Sequence, residues 1–390
     1  MPPRRDAIDP NPTCAIGVNT VASIDRQQSG EHEHSPNSAR RADGAERPRR
    51  FVFVDALRGV AALWVVLFHT FAGSHMSHLE PRLPTWMAQL IHVGYLGVSV
   101  FFVLSGFVIA HSIGRHRVTA SYFRWFVLRR SVRLDLPYWV AIAVTIWVGA
   151  QSSTPTPAGV LAHMFYLQDL LRYKPLSLVY WTLSLEFQLY LIFALLLGLA
   201  QRFRSSDTDR RSLFIIFTAV ALVATLWPAA LVPQEAPLPG LFLRLWYAFL
   251  LGAFAWWAVD RTIGRSAFYL YAGGLLAGAV NIHNTDAMVS IAIAAVLLEV
   301  GRAGKLRDWL NWRPLQFLGR ISYSLYLLHG PISVVTLGYT LYRLTPRTAA
   351  WELFWLVGLL AANCSGAWLF WRVVEKPCVT LSQYCRPPRE

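Results

Sequence analysis

Apolar runs of bilayer-spanning length recur along the chain, separated by short polar loops, and this alternation predicts ten transmembrane helices. They fall near 52–74, 93–113, 134–150, 179–200, 212–231, 241–259, 267–280, 287–301, 317–340 and 349–371, the seventh and eighth being short. The fold class this implies is all-α, a polytopic membrane helix bundle. Three segments follow: a tail at 1–50, a transmembrane domain at 51–375 and a short tail at 376–390. Residues 1–50 are polar and arginine-rich, a composition that predicts disorder. The first apolar run is no signal peptide, because it lies far from the terminus, is long, and contains Asp55 and Arg58.

Composition agrees with the pattern. The chain is 55% hydrophobic and only 15% charged, where a soluble domain carries roughly a quarter charged residues, and its mean hydropathy is +0.38. Orientation follows from the cations. Of 36 Lys and Arg, 28 fall on the segments that share a side with the N-terminus, 5 on the opposite loops and 3 inside spans. The positive-inside rule then predicts both termini in the cytoplasm. The same asymmetry accounts for the net charge of +14 through lipid headgroups, without nucleic acid. The four cysteines, Cys14, Cys364, Cys378 and Cys385, lie in a span or on the inner side without paired zinc spacing, which reads as free thiols.

Within this apolar chain, an arginine and a histidine share the first span, Arg58 and His69 in FVDALRGVAALWVVLFHTF. An ionisable group in hydrocarbon costs at least ~2.5–3.5 kcal/mol on insertion scales, so its presence there points to function. Eleven residues carry the helix about 20° past three full turns and ~16 Å along its axis. Both side chains therefore project into one groove at different depths. Glu186 in VYWTLSLEFQLY and His329 in GRISYSLYLLHGP fall in the outer halves of their spans, at a similar level to His69. Three ionisable groups at one level supply a general base and its orienting partner. The plainer alternative makes each histidine an interhelical hydrogen-bond residue.

At the inner side, RWFVLRRSVRLDLP sets Arg130 and Arg133 on one helical face where the third span begins. Guanidinium forks suit phosphate. Arg115, Arg117 and Arg124 read as products of the positive-inside rule, and Arg320 lies where it could join the pair. His75, His78 and His92 lack the partners for a metal site and read as ordinary outer-loop residues. Glu299, Arg244 and Glu352 lie near span ends, where snorkelling suffices. Ser105–Phe107 forms a small-residue SGF packing site, with Ser105 placed to donate into the groove.

These blocks resemble the acyltransferase-3 family of integral membrane acyltransferases, which O-acylate sugars in bacteria. Six of them occur in order over roughly residues 50–377: DALRGVAALWVVLFHTF, GVSVFFVLSGFVIA, the Arg-x-x-Arg of RSVR, WTLSLEFQLY, GRISYSLYLLHGP and VEKP. The resemblance implies that His69 is the base and that Arg58 is required with it. Arg130 and Arg133 would hold an acyl-coenzyme A donor, acetyl-CoA in the first instance. Glu186, Ser105, Tyr323 and His329 match further block positions. Thr182 stands where the family often has serine, which keeps the hydroxyl. No metal is implied, and no fused esterase domain follows the last span, so the membrane domain is expected to act alone or with a separate partner.

The function expected is transfer of an acyl group from cytoplasmic acyl-CoA to a hydroxyl of a sugar, polysaccharide or lipid-linked glycan outside the bacterial inner membrane. A multispan transporter or flippase for a sugar or anionic substrate is the alternative. Against it, the chain has no clear internal repeat and no paired Gly/Pro-broken spans. A transferase using a lipid-linked donor is a further enzyme alternative and would favour acidic metal-binding clusters; the one Asp-x-Asp of the chain is Asp207-Thr208-Asp209, in the inner loop before the fifth span.

Overall fold

A computed structural model describes residues 50–72, 75–114, 116–203, 210–233, 240–340 and 348–387. The tail read at 1–50 therefore lies outside the described residues except for Arg50, as do Cys14 and Arg115. Secondary structure among the described residues is all helical. The long helices are α1 (Val52–Ala72), α3 (Gly97–Ile113), α4 (Ala120–Trp147), α6 (Tyr180–Arg202), α7 (Arg211–Ala224), α8 (Trp246–Val259), α9 (Arg265–Asn281), α10 (Thr285–Arg302), α11 (Arg313–Thr340) and α12 (Ala349–Tyr384). Each of the ten predicted spans coincides with one of them. Two short helices, α2 (Thr85–His92) and α5 (Pro157–Met164), were not predicted.

Five segments are long and apolar enough to cross a membrane: α1, α6, α12, and α3 and α8 with their leading turns. The other five are helices too, but shorter or more polar. α7 has 14 residues. α4 begins well before the apolar run at 134, because Thr119 caps it by accepting a hydrogen bond from the Tyr122 N–H at 3.2 Å. Its first half is the arginine-bearing stretch, which an apolar-run reading leaves outside the helix.

Glycine sets the two closest helix crossings. A Cβ on Gly59 would run into the Gly319 backbone, and one on Gly319 into the Asp55 carbonyl, so α1 and α11 cross in contact. This crossing puts the Arg58 and His69 face of α1 beside Tyr323, Tyr326 and His329 of α11. The second pair locks α3 to α8: a Cβ on Gly106 would overlap the Phe249 carbonyl, and one on Gly252 the Val103 carbonyl. All of α8 except Val259 is buried. Hydrophobic on every face, it is a central post rather than an amphipathic wall. Pro137 in α4 and Pro331 in α11 each remove a helical N–H, just beyond Arg133 and His329.

α12 does not stop at the predicted end of the tenth span. It continues through a π-helical turn at Trp371–Glu375 into Lys376–Tyr384, which packs on α4. π-turns inside helices occur frequently at functional sites, and this one turns Glu375 into the bundle, where it is buried.

Glu352 requires a correction. It is wholly buried, not snorkelling, and its Oε2 accepts the backbone N–H groups of His78 at 2.9 Å and Leu79 at 2.7 Å. A carboxylate in the first turn of α12 is favoured by the helix dipole, and here it also fastens the loop that follows α1.

Candidate functional site

Two cavities lie along the groove between α1, α3, α4, α6 and α11. The first, of about 470 Å³, is lined by Arg58, Ser105, Thr182, Glu186, Tyr323 and Tyr326, with apolar neighbours from α3. The second is a cleft of about 1170 Å³ counting its open mouth, lined by His69, His75, Ser152, Ser177, Val179, His329 and Ser333 among others. Arg58 and His69 thus line two different cavities, at different depths of one helical face.

In the Arg58 chamber the polar groups are wired to one another. Ser105 Oγ donates to Glu186 Oε1 at 2.5 Å, and the Tyr190 hydroxyl donates to the same oxygen. Tyr190 sits at i+4 from Glu186, so the pair is built into one helix face. The Arg130 guanidinium lies 4.8 Å from the centre of the Tyr190 ring and 5.8 Å from that of Phe126. Arg133 lies within electrostatic reach of Arg130, Arg58 and Glu375. Glu375 accepts from Ser324 Oγ at 2.6 Å and feels both Arg133 and Arg58. Tyr323 donates its hydroxyl to the Leu134 carbonyl at 2.9 Å, tying α11 to α4 beside the arginines. Three guanidinium groups, Arg58, Arg130 and Arg133, and three carboxylates, Glu186, Glu375 and Asp135, stand in and around the chamber, with Arg58 and Glu186 in its wall. Such a set of mutually compensated charges suits an ionic ligand.

The histidine cleft is arranged differently. His69 Nδ1 contacts the Val65 carbonyl at 2.9 Å. A carbonyl only accepts, so Nδ1 carries the proton and Nε2 the lone pair. His329 repeats the arrangement, with Nδ1 donating to the Tyr326 carbonyl at 2.9 Å. The two rings lie 5.1 Å apart, centre to centre, tilted by 44°. Around them the walls offer hydroxyls, Thr70, Ser152, Ser177 and Ser333. The donor Nδ1–H of each histidine is held by its own helix, which fixes the ring and leaves Nε2 as a base.

A third histidine shows the contrast. His163 of α5 is buried; its Nδ1 donates to the Gly159 carbonyl at 2.8 Å, while Nε2 accepts the Leu176 N–H at 3.1 Å. Both nitrogens are occupied, so this ring staples a loop. Burial lowers its pKa, with the Gly159 bond and nearby Asp169 acting the other way.

The predicted site residues therefore divide into two groups. Arg58, Ser105, Glu186 and Tyr323 share the first chamber, with Arg130 joined to it through Tyr190 and Arg133 close to Arg58. His69 and His329 share the second. Glu186 does not stand at the level of His69. Val179 lies in the histidine cleft, and Glu186 is seven residues further along, about 10 Å deeper. His75, read as an ordinary loop residue, lines the cleft. Arg320 is exposed. Sequence reading missed Glu375, Tyr190 and Tyr326. The first was visible as a charge in the VEKP block and the second by its spacing from Glu186; nothing local marked Tyr326. Among the described residues, no group of three or more His, Cys, Asp or Glu gathers to hold a metal ion.

Residues 51–372 match the family model described as an acyltransferase domain. The chain is 23% identical to nodulation protein 10 of Rhizobium leguminosarum bv. viciae, over 84% of this chain and 93% of that protein. It is 27% identical to the acyltransferase MdmB of Streptomyces mycarofaciens, over 87% and 95%. The provisionally named peptidoglycan O-acetyltransferase YrhL of Bacillus subtilis shares 26% identity, over 84% of this chain and 54% of that one. No solved structure is significantly similar.

Proposed function

Since the chain belongs to the acyltransferase-3 family and is a multi-pass membrane acyltransferase, we propose that it carries an acyl group, acetyl in the first instance, from coenzyme A in the cytoplasm to a hydroxyl of a sugar or polysaccharide outside the bacterial inner membrane. The observation that carries this reading is the His69 ring, held through Nδ1 with Nε2 basic in a cleft that offers four hydroxyls, while Arg58 of the same helix lines a second, charged cavity.

The charge asymmetry of the loops supports an orientation with the Arg58 end of the groove toward the cytoplasm and the His69 end outside. The phosphates of acyl-CoA bind Arg130 and Arg133. The acyl-bearing arm passes Arg58 and the Ser105–Glu186 pair, covering the ~16 Å that separates Arg58 from His69 along α1. In the outer cleft His69 Nε2 takes the proton of the acceptor hydroxyl as its oxygen bonds to the thioester carbonyl carbon. The C–S bond then breaks, and the histidine returns the proton to the departing thiolate. Peptidoglycan is what one relative's name assigns as acceptor, and a sugar hydroxyl fits the serine- and threonine-lined cleft. Family membership tells against the transporter reading.

Mass spectrometry of envelope glycans from a deletion strain tests the assignment. Loss of one acyl mass from a glycan, restored by the wild-type gene and not by His69→Ala, is the expected result. An unchanged glycan profile in the deletion strain would contradict it.

A further inference from the structure

The two chambers do not simply run together. Between them lies a cluster of three oxygens, from Val179 and Thr182 of the α6 entry and Tyr326 of α11. Thr182 Oγ1 donates to the Val179 carbonyl at 2.9 Å. With its proton so used, Thr182 Oγ1 accepts from the Tyr326 hydroxyl at 2.7 Å. Tyr326 reaches the same carbonyl at 3.2 Å. Thr182 and Tyr326 face the Arg58 chamber, while Val179 and His329, one turn beyond Tyr326, face the histidine cleft. Both hydroxyl-bearing residues are buried. The cluster therefore stands between the two cavities, and on the route proposed above an acyl arm crosses it on the way to His69.

We infer that the Thr182–Tyr326 hydrogen bond is a specificity-determining barrier, which keeps water of the outer cleft off the thioester until donor and acceptor are bound on its two sides and together part the pair. This rests on the donor and acceptor sides proposed above. The chemistry makes such a barrier necessary. A neutral imidazole that removes a proton from a sugar hydroxyl removes one equally from water, and the outer cleft is open at its mouth. Water adding to the thioester carbonyl, with cleavage of the C–S bond, yields a free carboxylic acid and coenzyme A thiol with nothing transferred. A wall held by one neutral hydrogen bond opens readily for a ligand that binds on both sides of it and stays shut otherwise. Tyr326 also suits the task by size, since its ring fills the gap and its hydroxyl alone latches it.

The test uses the full-length protein in liposomes with acetyl-CoA as the sole substrate and release of free thiol as the readout. Thr182→Val removes the Thr182–Tyr326 bond and leaves the tyrosine held to the Val179 carbonyl, while Tyr326→Phe removes both bonds, each keeping most of the bulk. Thr182→Val is expected to raise acceptor-free thiol release about fivefold, the shift that follows from losing one neutral hydrogen bond, and Tyr326→Phe at least as much. The double variant is expected to match Tyr326→Phe, which already frees the ring. Thr182→Ser keeps the hydroxyl and is expected to behave as the wild type, which separates the latch from a packing effect. Binding of acetyl-CoA is measured on the same samples by calorimetry. Normal binding with thiol release unchanged in both latch variants overturns the barrier alone. Absence of acetyl-CoA binding by the wild type overturns the donor reading and the barrier with it. Should Tyr326→Phe fail to fold, Thr182→Val against Thr182→Ser decides the matter.

Discussion

The Arg58 chamber and the His69 cleft lie on one helix face and are built on opposite plans. In the first, ionised groups answer one another: Arg133 and Arg58 face Glu375, and Arg130 stacks on the tyrosine that donates to Glu186. In the second, His69 and His329 are each held to a carbonyl through Nδ1, and the remaining walls mix four hydroxyls with apolar side chains. A chamber of compensated charge suits holding an ion, and a cleft with imidazole nitrogens left over suits proton transfer. On the function proposed above, the difference would separate binding from chemistry along the groove, and it can be broken from either end.

The largest effect belongs to the reactive end. His69→Ala is expected to lower transfer by ~10²–10⁴-fold, the usual contribution of a general base, while acyl-CoA affinity measured by calorimetry stays as in the wild type. A parallel loss of affinity would erase the division between the chambers. Arg130→Ala combined with Arg133→Ala comes next and is expected to raise the KM for acyl-CoA by at least ~10²-fold, from two charge-assisted bonds at ~1.5–3 kcal/mol each. kcat at saturating donor should change far less. Glu375→Ala follows, since it removes the buried carboxylate that accepts from Ser324 and that both Arg133 and Arg58 feel. Losing a hydrogen bond to a charged group costs about 1.5–3 kcal/mol, and thermal unfolding should show it as a lower midpoint.

Two smaller effects test the frame around the cleft. Glu352→Gln replaces a carboxylate that accepts two backbone N–H groups, so destabilisation of about 1–3 kcal/mol is expected from the unfolding midpoint. The last concerns His163. Its folded pKa is lowered by burial from the ordinary 6.5, so the unfolded chain takes up the proton first. The stability contributed is full above that ordinary value and declines as pH falls below it. Melting curves between about pH 7.5 and about pH 5 should show this decline, and His163→Asn should flatten it.

Much of this was legible in the sequence, and for stated reasons. The ten helices follow from apolar run length, because each run must bury its own backbone hydrogen bonds. Arg58 with His69, and Arg130 with Arg133, are pairs on single helices, where the residue period alone fixes their relation. What failed was the relation between helices. Glu186 was placed level with His69 by counting from span ends, but depth across two helices depends on where each one begins, and α6 enters the histidine cleft at Val179 before descending to Glu186. Glu352 was misread because its partners, His78 and Leu79, lie more than 270 positions away. The polar first half of α4 escaped an apolar-run reading altogether. The barrier formed by Thr182 and Tyr326 was invisible for the same reason, being a contact between two helices that the glycine crossing of α1 and α11 helps to position.

The central claim is that His69 performs transfer from a donor bound at the opposite chamber. It is tested most directly in proteoliposomes supplied with labelled acetyl-CoA on the side of the Arg58 chamber and envelope glycans on the side of His69. The account predicts label in the glycan with the wild type and none above background with His69→Ala at equal protein and equal donor binding. Equal labelling by the two proteins would contradict it.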